Sequence, residues 1–131
     1  MVRDVGTLVC AIGVMGLTAC SVPTDQVACT DEFRFGLNIT VIDSVTGAPP
    51  TEATLLATSP NAFADSVGPL KPFTSGTQSI LILATAGERA GTYSVRIKSP
   101  GYLDWTRAGI VVTADKCHVH QVTMTARLQK P

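Results

Sequence analysis

His118 and His120 stand two positions apart at the head of the run His118 to Leu128, in which apolar and polar residues alternate. Residues two apart on an extended strand share a face, so the two imidazoles could offer a pair of nitrogens to zinc or copper. Cys117 and Cys29 are further thiol candidates, but alternation turns Cys117 away from both histidines, and a third ligand is not evident. The pair shares the parity of Val122, Met124, Ala126 and Leu128, so the leading expectation is two half-buried, hydrogen-bonded histidines at a sheet end. Metal binding through His118 and His120 is the alternative. A second group is Tyr102, Asp104 and Trp105, just after Pro100-Gly101. Aromatic rings near a loop stack on sugar rings or anchor a protein partner, which makes these three the candidate partner-binding residues. Packing at the core edge is the competing reading. On the binding reading, Trp105→Ala weakens a partner contact and leaves the domain folded.

Nothing else in the chain offers a catalytic constellation. There is no Gly-x-Ser-x-Gly, no phosphate-binding Gly-rich loop and no Cys-x-x-Cys, and neither histidine has an identifiable nucleophile beside it. Asp43, Asp65, Glu88, Asp104 and Asp115 fall mostly at expected turns, where capping accounts for them. The expectation is a protein without catalytic residues or cofactor. Ten Lys and Arg balance ten Asp and Glu, so the 131-residue chain has no electrostatic footprint for nucleic acid.

The elements that would carry these residues are strands. Eleven glycines and eight prolines among abundant Thr, Ser and Val argue against an all-helical fold. Arg34 to Val41 alternates, with Phe35, Leu37, Ile39 and Val41 on one face, and Asp43 to Gly47 closes it with turn chemistry. Glu52 to Thr58 is a second strand. Ser59 to Gly76 reads as a long loop with one short edge strand, because Pro60, Pro69 and Pro72 interrupt it. Gln78 to Ala86 is a continuous apolar run, expected to be a strand covered on both faces. Gly91 to Lys98 alternates, with Tyr93, Val95 and Ile97 inward and Ser94, Arg96 and Lys98 outward. Trp105 to Thr113 and His118 to Leu128 complete six or seven strands, a number and spacing that fit two sheets packed face to face. Ser59 to Phe73 and Tyr102 to Arg107 are the candidate contact loops.

The amino end reads differently. Val5 to Thr24 has no charged residue, and Val5 to Leu17, broken by three glycines, suits the core of a signal peptide better than a membrane span. Leu17-Thr18-Ala19-Cys20 then resembles the lipobox of bacterial lipoproteins. That resemblance implies cleavage before Cys20, lipidation of its thiol, and a mature protein held in the membrane by acyl chains (palmitate-like). Ser21 beside the anchor implies the outer membrane, facing the periplasm or the surface. The expected divisions are a signal peptide over 1–19, a lipidated tether over 20–28 and a folded domain over 29–131. With Cys10 discarded and Cys20 lipidated, Cys29 and Cys117 remain in an oxidising compartment, which implies one disulfide across 88 positions.

Within the domain, Val41-x-Asp43-x-x-Thr46-Gly47-x-Pro49 and Gly91-Thr92-Tyr93-x-Val95-x-Ile97-x-x-Pro100-Gly101-Tyr102 occur in that order. Together they resemble the carboxypeptidase regulatory-like domain, over about Phe35 to Leu128. The resemblance implies an all-β, prealbumin-like, seven-stranded antiparallel Greek-key sandwich. These are fold motifs, not active-site motifs. Two chemically active relatives do not fit. Phe35 to Val41 has no Lys and His118 to Leu128 has no Asn, which excludes the isopeptide of collagen adhesins; no His precedes His118, which excludes hydroxyisourate hydrolase. The functional expectation is a noncatalytic envelope module that contacts protein or polysaccharide. An accessory subunit of an envelope complex is a further alternative.

Overall fold

A computed structural model describes residues 28–131. The expected signal peptide, the lipidation at Cys20 and all of the tether but Ala28 lie outside the described residues. Nine strands and no helix occur among the described residues: β1 (Phe35–Asp43), β2 (Ala53–Ser59), β3 (Phe63–Leu70), β4 (Phe73–Ser75), β5 (Gln78–Ile80), β6 (Ile82–Gly87), β7 (Gly91–Lys98), β8 (Trp105–Val112) and β9 (Val122–Leu128). They form a three-stranded sheet of order β6-β1-β9, a four-stranded sheet of order β3-β2-β7-β8 and the small hairpin β4-β5.

Alternation produces the core. Leu37, Ile39 and Val41 of β1 and Ala126 and Leu128 of β9 are buried against Leu55 and Ala57 of β2, Tyr93, Val95 and Ile97 of β7, and Ile110 and Val112 of β8. The inner faces of both sheets thus share one apolar cluster, as sandwich packing requires. Phe35 departs from the expected inward set. It is 40% exposed and meets Phe33 edge-on, with ring centroids 5.1 Å apart.

Four further features differ from the pattern the sequence suggests. First, most of Ser59 to Gly76 is not a loop. Its β3 pairs with β2 from Ser59↔Phe63 to Ala53↔Leu70. The ladder shifts register between Ala53 and Leu55, opposite Gly68 and Pro69, and an edge strand tolerates proline because one of its sides has no ladder to complete. Second, Gln78 to Ala86 is two elements, not one. β5 turns back on β4 through a two-residue turn holding Gly76, while β6 is an edge strand whose Leu83 is buried and whose Ile82 is 37% exposed. Third, the sheets are not wholly antiparallel, since β1 and β9 pair in parallel from Leu37↔Val122 to Asp43↔Leu128. Fourth, the last strand begins at Val122. Upstream of it, Ala114 and Val119 form their own antiparallel bridge and Val119 is buried, so the parity of the final strand does not extend back through His120. Both histidines therefore lie opposite buried Val119 in parity, yet His118 is half-buried and hydrogen-bonded as expected, whereas His120 is exposed.

Candidate functional site

At the end of the sandwich where the described chain begins, the Sγ atoms of Cys29 and Cys117 stand 2.01 Å apart as a disulfide, 88 positions apart in sequence. Glu88, in the turn between β6 and β7, gathers the neighbouring segments. Its carboxylate accepts hydrogen bonds from the Arg34 amide at 2.7 Å and the Val119 amide at 3.4 Å, and lies 2.9 Å from His118 Nδ1. The His118 hydrogen bond is the main reason its carboxyl titrates below the ordinary Glu range; the two amides add to it. Asp115 caps the hairpin, with Oδ1 accepting from the amides of Cys117 at 2.8 Å and His118 at 2.9 Å. The amides of His118 and Cys117, in that order, lower its pKa to about 2.

The two imidazoles have separate partners. His118 Nε2 meets Thr30 Oγ1 at 3.1 Å, whereas His120 meets Thr113 Oγ1 through Nδ1 at 3.0 Å and Asp115 Oδ2 through Nε2 at 3.3 Å. A carboxylate only accepts, so in each ring the nitrogen facing it carries the proton, and the other nitrogen meets a threonine hydroxyl. Among the described residues, no three His, Cys, Asp or Glu side chains converge as a metal site. Nearness in sequence therefore does not bring His118 and His120 to one site.

The candidate partner residues also separate. Tyr102 is half-buried, and its hydroxyl donates to Asp43 Oδ2 at 2.8 Å. Trp105 pairs across the ladder with inward-facing Ile97 and packs against the core. Asp104 is exposed and stands 3.8 Å from Lys98 Nζ and 4.0 Å from Arg96 Nε. Of the three, only Asp104 is exposed.

Those cations belong to the outer face of the four-stranded sheet. Ser66, Leu56, Arg96 and Thr106 form one cross-strand row, and Thr58 pairs with Ser94 in the next. Small residues beside Arg96 leave a shallow groove of about 430 Å³. Arg107 reaches it by a different route. It lies opposite inward-facing Val95, but the β7–β8 ladder shifts register here and Gly109 takes φ +70°, so the bulge leaves Arg107 lining the outer groove. Sequence parity marks Arg96 and Lys98 as outward; Gly109 is the one local signal for Arg107. A second hollow of about 630 Å³, beside Pro49 and Ile82, is lined by no ionisable side chain.

Comparison with protein-family models, with curated proteins and with solved structures found no match.

Proposed function

We propose that this chain is a lipid-anchored protein of the cell envelope whose sandwich is a noncatalytic binding module of the carboxypeptidase regulatory-like type. The observation that carries the reading is the partition of the cysteines. Cys29 and Cys117 are joined to each other, which leaves Cys20, in its lipobox-like setting, as the thiol available for acylation outside the discarded segment. A disulfide at the start of the domain suits an oxidising, exported compartment. The binding role is supported by the spread of the reactive side chains. The histidines and the carboxylates of Glu88 and Asp115 are engaged in holding loops together, while the outer face of the β3-β2-β7-β8 sheet presents Arg96, Arg107, Thr58, Ser94 and Thr106 along a groove. The partner on this reading is an envelope protein or polysaccharide, and the membrane is reached through the anchor at the outer membrane.

The test is mass analysis of the mature amino terminus together with metabolic labelling by an alkyne fatty acid. The expected result is a terminus at Cys20 carrying acyl chains, and loss of label and release from membranes in Cys20→Ala. An unmodified Cys20 thiol on a membrane-free chain defeats the reading.

A further inference from the structure

Resting on the proposed reading of an envelope binding module, we propose that the outer face of the four-stranded sheet binds an acidic polysaccharide. On this face Arg96 and Arg107 take its carboxylates, and the hydroxyls of Thr58, Ser94 and Thr106 bond to the chain between them. Charge complementarity gives the first argument. Arg96 and Lys98 share the carboxylate of Asp104, and Arg107 lines the same groove with no ion pair among the described residues, so three cations face one carboxylate here on a chain that is neutral overall. The ion pairs of Asp104 with Arg96 and Lys98 are long and exposed, and such pairs hold weakly, so a ligand carboxylate can displace them. A guanidinium fork is the side chain best shaped for that exchange.

The shape of the face decides what kind of chain carries the carboxylates. The backbone groups of β2 and β7 are used in ladders on both sides, so a ligand lying on this face meets side chains only. A peptide adding as a strand would need an open edge instead. The floor offers alcohols, which match the hydroxyls of sugars, and Leu56 lies among them, 41% exposed, as an apolar spot for the carbon face of a ring. Leu56 is the one large, exposed apolar side chain lining the groove and no aromatic lines it, too little apolar surface to seat in a lipid layer. The bulge at Gly109 accounts for the second arginine of the groove. It breaks the alternation of β8 at the position where breaking it brings another arginine to the groove.

The experiment measures binding of the full-length protein, kept in neutral detergent, to polygalacturonate. Neutral dextran, polyglutamate and a soluble short-chain phosphatidylglycerol serve as comparison probes. The expected result is salt-sensitive binding to polygalacturonate that exceeds binding to all three, reduced about tenfold or more in the Arg96→Gln/Arg107→Gln double variant. Arg107→Glu, which leaves Arg96 in place, is expected to lose binding while keeping the wild-type circular dichroism spectrum. Absent binding, equal binding by the double variant, or preference for polyglutamate or the phospholipid overturns the proposal. The two readings fail separately. A bare Cys20 defeats the anchoring and leaves this binding standing, whereas an acylated chain that ignores polygalacturonate defeats this inference alone.

Discussion

The Tyr102 hydroxyl donates a 2.8 Å hydrogen bond to Asp43 Oδ2 across 59 positions of sequence. The other carboxylate oxygen of Asp43 accepts from the Val45 amide at 2.8 Å and the Thr46 amide at 3.0 Å, and Lys130 Nζ stands 3.5 Å from Oδ2. The turn after β1 and the loop before β8 are therefore fastened at one buried carboxylate. The two sequence motifs, one holding Asp43 and Thr46 and the other Pro100, Gly101 and Tyr102, are two halves of a single contact.

This contact gives the fold a definite response to acid. The Thr46 amide, then the Val45 amide and the Tyr102 hydroxyl, hold the Asp43 carboxyl well below the usual carboxylate range. An unfolded Asp titrates at about 3.9. A depressed folded-state pKa means that the stabilisation is fully present above the unfolded value and is lost as pH falls towards the folded one. Asp115, at about 2, and Glu88, also lowered, act with the same sign. The urea midpoint is expected to hold from neutral pH down to roughly pH 5 and to fall steadily below roughly pH 4. In Tyr102→Phe the midpoint at neutral pH drops, and the acid slope becomes shallower because the folded Asp43 loses one of its donors. An unchanged slope in that variant excludes the coupling of the two residues.

Trp105 is a structural residue on the geometry of β8, and its replacement is expected to cost stability. It faces inward opposite Ile97 and is partly buried against the core. Complete burial of a large aromatic would put the loss at about 3–5 kcal/mol on truncation to Ala; partial burial places Trp105→Ala at about 1–3 kcal/mol. Urea denaturation followed by circular dichroism measures this. The wild-type chain has one tryptophan, so its emission should shift to longer wavelength in the same transition. A variant with the wild-type midpoint would move Trp105 out of the core and return it to the binding surface.

What was legible in the sequence follows from how local each cause is. The inward faces of β1 and β7 are written as strict alternation, in Leu37-Ile39-Val41 and Tyr93-Val95-Ile97, and both are buried as read. β3 was hidden because Gly68 and Pro69 argue locally against a strand, while pairing with β2 across a register shift decides the matter. The half-buried, hydrogen-bonded histidine that the sequence suggests is His118, but the parity of Val122 to Leu128 does not reach His120, because a break in alternation just before Val122 leaves no compositional trace. Asp43 was legible as a turn cap, but its bond to Tyr102 depends on the meeting of two distant loops.

Gly68 tests the reading of β3 as a paired strand. Its φ is +104°, and a Cβ built there would lie 2.7 Å from the Ala53 carbonyl oxygen and 2.9 Å from the Leu70 amide nitrogen, both of them backbone atoms that cannot swing aside. Gly47, at φ +73°, has open space around it and would bear only the cost of handedness, about 1–2 kcal/mol. Gly68→Ala is therefore expected to destabilise the domain by more than Gly47→Ala. Paired thermal melts measure the difference. Equal shifts would mean that the β2–β3 ladder is not held at this register.

The disulfide and the Thr30–His118 hydrogen bond each close 88 positions of the chain, and of the two only the disulfide is covalent. β1 begins at Phe35, and the residues before it are held by the disulfide, by Thr30 on His118 and by the Arg34 amide on Glu88. With 88 positions between the cysteines, the lost freedom of the unfolded chain corresponds to about 4–5 kcal/mol. That is a large share of the roughly 5–15 kcal/mol typical of a domain. Cys29→Ser/Cys117→Ser, with both thiols removed so that neither can mispair, is expected to lower the urea midpoint steeply. It should also expose the segment before Arg34 to limited proteolysis, since Thr30 and His118 are then joined by one exposed hydrogen bond. Sheet pairing of β1 with β6 and β9 does not pass through either cysteine, so the circular dichroism of the folded variant stays that of the wild type. An unchanged midpoint and an uncut segment would mean that Glu88 and His118 hold this end without the disulfide.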